Sequence, residues 1–194
     1  RPLPLGGGDF LHIDQTNPGA QEFKFETMSW TRRTQRRYQF LTLPNAQGYV
    51  LGIDQLFGDN TFKAHHSGNF AQDGFGALSK YDVVNDGFID ANDPVFSQLR
   101  LWHDENGDGN VDSPEEKLSE LKRLDDPSIR ISYIHLYVNQ GFTESDLYDN
   151  VIKYKSIVRF EPSADGKVKL GTAFDMWFQY DPREMVEAGV GSIE

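Results

Sequence analysis

The chain has 194 residues, a formal net charge of −11 at pH 7 and no cysteine. Phosphate binding requires a clustered positive face, so a chain this acidic is not expected to bind nucleic acid. Without cysteine, disulfides, thiolate zinc sites and cysteine nucleophiles are excluded. No apolar run approaches the ~20 residues of a membrane helix, so no transmembrane segment is predicted.

The N-terminal part of the chain is predicted to combine an irregular arm with strands. Three consecutive glycines and three prolines in residues 1–20 predict the arm. Polar and apolar residues alternate over residues 22–26, which is typical of a strand. A further apolar stretch, residues 38–43, leads into a turn over residues 44–48.

The central segment is predicted to be helical. Apolar residues recur at helical spacing in three stretches, 69–81, 93–103 and 113–124. Ser113 is a plausible N-cap for the third helix, and Glu116 lies three residues after it, as in a capping box. The second helix would leave one acidic loop and enter the next.

The C-terminal part returns to strand-forming residues. We predict strands within residues 129–138, 156–162 and 168–178, the last two joined by a hairpin turn at residues 164–167. The predicted fold class is α+β: a strand-rich domain with a compact helical segment that carries two consecutive EF-hand-like calcium loops. The domain should cover residues 21–180, with the loop pair over 69–124 and a tail over 181–194.

The strongest functional signal is the loop over residues 104–115, which reads Asp-Glu-Asn-Gly-Asp-Gly-Asn-Val-Asp-Ser-Pro-Glu. Oxygen-bearing side chains and a glycine occupy every position that the EF-hand template requires. Ca²⁺ is a hard cation that takes about six to eight oxygens, which this spacing can direct at one centre. The alternative is an Asp/Asn/Gly turn that binds nothing. The predicted ligands are Asp104, Asn106, Asp108, Asp112 and Glu115, with the backbone carbonyl of Asn110.

A second acidic loop, residues 82–93, matches the template less completely. Val84 stands at the third position and offers no oxygen, and Asp93 at the twelfth is shorter than glutamate. We therefore predict a weaker calcium site, with a calcium-free structural loop as the alternative. Ile89 and Val111 hold the eighth position of the two loops and are predicted to pair as a short bridge. The predicted ligands are Asp82, Asp86, Asp90 and Asp93, with the backbone carbonyl of Phe88.

Several motifs carry a resemblance to a known family. They are Leu-Phe-Gly-Asp-Asn-Thr at 56–61, Asp-Gly-Phe-Gly-Ala-Leu at 73–78, and Phe-Ser-Gln-Leu-Arg-Leu-Trp at 96–102, between the two loops. Residues 131–136 and 174–178 also fit. The chain resembles the EF-hand-containing calcium-binding module of bacterial RTX and surface proteins, and is similar to the self-processing module of iron-regulated RTX proteins.

The resemblance implies that calcium folds the module and, in some members, promotes cleavage of an Asp-Pro bond at its N-terminal edge. The freed aspartyl group can then join a lysine. Here Arg1-Pro2 stands in place of that Asp-Pro pair, so the carboxylate nucleophile is missing at this position. Other Asp-Pro pairs begin at Asp93, Asp126 and Asp181. An upstream calcium loop of the family is eroded near residues 44–50.

The primary hypothesis is a secreted, cell-surface or periplasmic bacterial module whose folding or stability depends on Ca²⁺, and which contacts a protein or cell-surface partner. No nucleophile elbow, phosphate loop or zincin helix is present, so an enzymatic role is not the first expectation. One alternative is calcium-activated self-processing by cleavage or cross-linking. Another is an adhesin-type domain that uses the additional strands and the arginine cluster at 32–37.

Overall fold

The computed structural model describes residues 9–13, 23–27, 38–52, 55–58, 71–138, 143–145, 150–178 and 186–187. Sequence features at Arg1-Pro2, the arginine cluster and Asp181 lie outside these residues. Within the described ranges, no helix is long and apolar enough to cross a membrane.

Strands dominate the described part of the chain. They are β1 (Asp9–Ile13), β2 (Phe23–Thr27), β3 (Phe40–Thr42), β4 (Phe88–Asp90), β5 (Arg100–Trp102), β6 (Leu121–Arg123), β7 (Ile131–His135), β8 (Glu144–Ser145), β9 (Val151–Phe160), β10 (Leu170–Trp177) and β11 (Val186–Glu187). The helices are α1 (Gly74–Ser79), α2 (Pro114–Ser119) and a 3₁₀-helix over Pro94–Ser97.

The described strands form three antiparallel sheets. The largest has the order β10-β9-β7-β4, with β8 also paired to β9. A second sheet has the order β3-β5-β6, and a third joins β1, β2 and β11. The hairpin between β9 and β10 turns at Gly166, whose φ of 78° is accessible to glycine without a steric penalty. The predicted hairpin at residues 164–167 and the strand at 22–26 are confirmed.

Two apolar clusters hold the acidic loops in place. The larger cluster packs one face of the β9-β7-β4 sheet against α1 and the 3₁₀-helix. Its buried members are Leu78, Ile89, Val95, Phe96, Leu99, Leu124, Ile131, Ile134 and Val158. The smaller cluster consists of Val50, Trp102 and Val111. Ile89 belongs to the first cluster and Val111 to the second, so each loop is anchored to its own core.

The α+β prediction, with a compact helical segment carrying two EF-hand-like loops, is wrong. The stretch predicted as a helix over 93–103 contains the 3₁₀-helix and then β5, which pairs with β3 on one side and β6 on the other. Helical spacing of apolar residues could not reveal this, because a buried strand in a short apolar run gives a similar pattern. Non-local strand pairing therefore overrode the local pattern.

The third predicted helix is also shorter than expected. Its start is confirmed, because Ser113 and Glu116 form the predicted capping box. The helix ends at Ser119 because the next residues pair with β5 as β6. Leu118, one of the apolar residues at helical spacing in the stretch 113–124, is 85% exposed, whereas Leu124 is buried. The acidic loops are consequently flanked by strands and short turns instead of long helices.

Candidate metal sites in two acidic loops

The loop over residues 104–115 curls around the carboxylate of Asp104. This side chain is only 1% exposed. Its Oδ1 accepts a hydrogen bond from the N–H of Gly107 at 2.6 Å, and its Oδ2 accepts one from Gly109 at 3.1 Å. Both glycines have positive φ, 80° and 76°, a region that other residues enter at a cost. The two glycines thus let the backbone close around one buried acidic group.

The next two predicted ligands interact with each other. The Asn106 side-chain oxygen accepts the N–H of Asp108 at 2.9 Å, and Asp108 in turn accepts the N–H of Asn110 at 2.9 Å. The amide nitrogen of Asn106 donates to Asp108 at 2.8 Å and to Glu116 at 2.9 Å. Local bonds of this kind to the following backbone are what Asn and Asp favour in turns.

The C-terminal half of the loop is more open. Asp112 and Glu115 are exposed. Glu116, which the sequence indicated only as a capping residue, accepts hydrogen bonds from the N–H groups of Asp112 and Ser113 at 3.0 and 3.2 Å. The nearby Glu116 carboxylate is the main reason that the pKa of Asp112 is raised. Glu116 itself has a lowered pKa, mainly because it accepts the Asp112 N–H.

Glu120 is a buried acidic residue beside this loop that the loop motif did not predict. Its carboxylate is buried and accepts hydrogen bonds from Trp102 Nε1 at 3.0 Å and from the N–H groups of Glu105 and Asn106 at 3.0 and 3.3 Å. Burial raises its pKa, and the charge of Asp104 adds to the effect. An acidic residue at the C-terminal end of a helix is unfavourable for the helix dipole, and this was the available signal.

The loop over residues 82–93 has a similar curl. Its fourth and sixth residues, Asn85 and Gly87, have φ of 56° and 83°. Asp82 accepts the N–H groups of Asp86 and Gly87 at 3.2 and 2.9 Å. Asp86, the fifth residue, accepts the N–H of Phe88 at 3.0 Å. Asp108, the fifth residue of the other loop, likewise accepts the N–H two residues after it. The same backbone turn therefore occurs twice.

Asp93 closes this second loop. Its side chain is 2% exposed, with Oδ1 accepting the N–H of Val83 at 2.9 Å and Oδ2 the N–H of Asp90 at 3.1 Å. Asp90 is partly exposed and accepts the N–H of Asn92 at 2.7 Å. Asp93 thus connects the two ends of the loop through hydrogen bonds to the backbone.

The predicted bridge between the two loops is wrong. Ile89 pairs with Ile134 in the β4-β7 ladder. Val111 pairs with Val50 through two backbone hydrogen bonds of 3.0 and 2.7 Å. The eighth residue of each loop does form a backbone pair, as predicted for that position. Its partner, however, lies in a segment distant in sequence, and the loop motif does not encode that partner.

The described side chains do not form a closed metal shell. Across the ranges that the structure describes, no three His, Cys, Asp or Glu side chains are grouped so that they could hold a metal ion. The N-terminal halves of the loops carry oxygens suited to a hard cation such as Ca²⁺. Asp112 and Glu115 lie at the surface, so the predicted donor set is only partly assembled.

Two predicted Asp-Pro bonds can be described. The one after Asp93 begins at the buried carboxylate that closes the second loop. The one after Asp126 lies in a turn, and its carbonyl oxygen accepts the N–H groups of Ile129 and Arg130, both at 2.8 Å. The Asp126 carboxylate accepts the N–H and the hydroxyl of Ser128, and the hydroxyl is the main cause of its lowered pKa.

Comparisons with known proteins place the chain in a family and show its similarity to an iron-regulated protein. A family model described as the SPM domain matches residues 20–179. The iron-regulated protein FrpA of Neisseria meningitidis serogroup C is 37% identical over 97 residues, which is 50% of this chain and 8% of that protein. The chain therefore spans a small part of this relative's length. Both findings agree with the resemblance to iron-regulated RTX proteins.

Proposed function

This chain belongs to the SPM domain family, and from that premise we propose that it is a calcium-binding module of a secreted or cell-surface bacterial protein. The observation that carries the proposal is the 104–115 loop, where two glycines with positive φ curl the backbone around the buried carboxylate of Asp104. The loop over 82–93, with the same curl, is proposed as a second and weaker site.

The chemistry of the donors suits calcium. Carboxylate, amide and backbone oxygens are ligands that hard cations prefer, and glutamate can contribute two oxygens. In the stronger loop Asp112 and Glu115 are exposed and would complete a shell begun by Asp104, Asn106 and Asp108. Bound Ca²⁺ supplies positive charge, which would favour the ionised form of Asp112 against the repulsion of Glu116 described above.

Calcium would act on this module through linkage. A ligand that binds only the folded form stabilises that form, and the effect grows with ligand concentration. Extracellular calcium modules bind at roughly 10⁻⁴–10⁻³ M. We therefore propose that the module becomes ordered after export, in the periplasm, on the cell surface or outside the cell. There it would contact a protein or cell-surface partner.

Calorimetric calcium titration tests the proposal. We expect Asp104→Ala to weaken the stronger site by at least about 100-fold, since even changes outside the metal ligands cost 10–100-fold. Asp82→Ala should remove only the weaker binding step. Asp165→Ala is the matched control, because it removes an equally acidic side chain from the β9–β10 hairpin. Unchanged calcium binding in Asp104→Ala would overturn the proposal.

Self-processing at the Asp126–Pro127 bond is a second candidate function, and one observation favours it. Two N–H groups donate to the carbonyl oxygen of this bond, which is the arrangement that stabilises a developing oxyanion. In such a reaction an Asp126 carboxylate oxygen would attack its own carbonyl carbon. The bond to the Pro127 nitrogen would break as that nitrogen takes a proton from water, leaving a cyclic anhydride that water or a lysine amine can open.

Denaturing gel electrophoresis and intact-mass spectrometry test this second candidate. The purified chain is incubated with millimolar calcium or with a chelator. In the calcium incubation, but not in the chelator incubation, cleavage should give fragments 1–126 and 127–194 or a lysine-linked product. Asp126→Asn should abolish these products, and the control Asp165→Asn should not. If no fragment forms, calcium binding remains as the proposed function and self-processing at this bond is excluded.

A further inference from the structure

Residues 43–52 and Gln55, here called the 43–55 segment, repeat the geometry of the 104–116 loop. Neutral residues stand where that loop has Asp104, Asp108, Asp112 and Glu116, namely Leu43, Gln47, Leu51 and Gln55, and Asp54 is the one acidic residue of the segment. When both segments are counted from their first residue, Gly48 and Gly109 hold the sixth position. Their φ values are 82° and 76°. The eighth residues are Val50 and Val111, which exchange two backbone hydrogen bonds with each other. The two segments are therefore paired at the same position of the same turn.

The side-chain hydrogen bonds also correspond. Asn45 and Asn106, both third in their segments, each accept the N–H two residues later, at 3.0 and 2.9 Å. Gln55 and Glu116 are both thirteenth. Each uses one side-chain oxygen to accept the N–H groups of the ninth and tenth residues, at 2.9 and 3.0 Å for Gln55 and at 3.0 and 3.2 Å for Glu116. A neutral amide thus replaces the carboxylate in the 43–55 segment.

A lysine from the acidic loop's own helix reaches the neutral segment. Lys117 lies on α2, and its Nζ donates to the carbonyl oxygen of Gln47 at 2.9 Å. The same ammonium lies 4.0 Å from the centre of the Tyr49 ring, within cation–π range. Its side chain also covers Gly48, since a Cβ at that glycine would contact Lys117. The two paired segments are thus joined both at Val50 and through Lys117.

We propose that the 43–55 segment, through its described residues 43–52 and 55, is a metal-free counterpart of the 104–116 loop, and that through Val50 and Lys117 this counterpart positions the acidic loop for its cation. The inference rests on the proposed calcium binding. Amide side chains satisfy the backbone N–H groups without bringing like charges together, so the 43–55 segment needs no cation to hold its turn. In the acidic loop, the carboxylates of Asp108 and Glu116 meet at the same Asn106 amide nitrogen, at 2.8 and 2.9 Å, so a cation would offset the repulsion between these like charges. A preformed partner lowers the ordering entropy that calcium binding must offset.

Amide hydrogen exchange in the full chain, measured by NMR with chelator and with calcium, tests the first half of the proposal. The amides of Leu51 and Gly52 should be protected without calcium. Calcium should slow exchange at Asp112 and Ser113 by at least about tenfold more than at Leu51 and Gly52. If calcium increased protection from exchange equally at all four amides, the 43–55 segment would not be a metal-free counterpart, although calcium binding would stand. No response at any of them overturns calcium binding and the inference together.

Substitution of Lys117 tests the positioning role. Lys117→Met keeps the apolar stem but removes the hydrogen bond and the cation, and should weaken calcium binding by roughly three- to tenfold. Lys117→Arg can still donate to Gln47 and stack on Tyr49, so it should restore most of the affinity. Lys122→Met, an exposed lysine on β6, is the control and should bind as the wild type does.

The outcomes separate the possibilities. A Lys117→Met variant that binds calcium as tightly as the wild type overturns the positioning role while calcium binding stands. Equal loss in Lys117→Met and Lys117→Arg also overturns it, because a role of the cation requires rescue by arginine. A wild type that does not bind calcium removes the proposed function itself.

Discussion

The two acidic loops curl alike but are attached to different parts of the fold. Both use positive φ at their fourth and sixth residues and fold the backbone onto their first aspartate. The 82–93 loop continues into the five-stranded sheet through Ile89 and is closed by its own Asp93. The 104–115 loop pairs with Val50 outside any sheet and has Glu116 and Glu120 at its ends. The curl is therefore a local property, and the attachment is a property of the whole fold.

This difference explains what could be predicted from the sequence. The spacing of Asp, Asn and Gly determines hydrogen bonds over two to five residues, so the curl of each loop followed from the motif. The partners of Ile89 and Val111 are 45 and 61 residues away, and no local pattern encodes such pairings. The same limit applied to residues 93–103, where pairing on both sides made a strand from a segment with helical periodicity.

The residues that support the 104–115 loop were also hard to predict. Glu116 was identified as a capping residue because its spacing from Ser113 is local. The hydrogen bond from Asn106 to Glu116 crosses the loop. The hydrogen bond from Trp102 to Glu120 forms only where β5 meets the end of α2. Such contacts depend on tertiary structure, so the motif gave the candidate ligands but not the groups that orient them.

The largest stability effect should come from truncating the residues that attach the loops. Ile89 and Val111 are both fully buried. Ile89→Ala should lower the free energy of unfolding by about 3–4 kcal/mol, within the range for buried isoleucine. Val111→Ala should cost roughly 1 kcal/mol less, because it removes one CH₂ fewer. Urea unfolding measures both. A larger loss at Val111 would mean that the smaller cluster is the more rigid anchor, contrary to this comparison.

Glu120 provides the next largest effect. Glu120→Ala would leave three donors without their acceptor, the Trp102 indole N–H and two backbone N–H groups. We expect a loss of about 2–3 kcal/mol, mainly because the indole N–H of the fully buried Trp102 would lose this charged acceptor. Glu120→Gln keeps one acceptor oxygen and should lose about half as much. Chemical unfolding with chelator present measures the difference. If Glu120→Ala and Glu120→Gln lost equal stability, the packing of the side chain and not its role as a hydrogen-bond acceptor would determine the effect.

The fourth position of the loops gives a smaller and more specific test. Gly107 and Asn85 both have positive φ, and Asn tolerates this region better than other side chains do. Gly107→Ala should cost about 1–2 kcal/mol, in the range for a left-handed L-residue. Gly107→Asn should cost less than Gly107→Ala, since the other loop already holds asparagine there. If the two variants were equally destabilised, the two loops would not share the same requirement at this position.

The smallest effect should come from an acidic residue outside both loops. Asp165 lies in the β9–β10 turn, where a hydrogen bond from the Lys167 ammonium, followed by one from the Ser163 hydroxyl, lowers its pKa from 3.8 to about 2. A lowered carboxyl pKa means that its stabilisation is present above pH ~4 and is lost as the pH falls through about 2. Because the pair is exposed, the effect should be small and screened by salt.

Thermal unfolding of Asp165→Asn across pH tests this contrast with the loops. The variant should unfold at a slightly lower temperature than the wild type at pH 5–7, and the difference should vanish near pH 2. Adding calcium at neutral pH should leave the difference unchanged, because Lys167 already neutralises Asp165. In the loops, by contrast, the acidic side chains accept hydrogen bonds from backbone N–H groups and, for Asp108 and Glu116, from the side-chain amide of Asn106. A calcium-dependent difference at Asp165 would therefore mean that the cation acts on the whole acidic surface and not on the two loops.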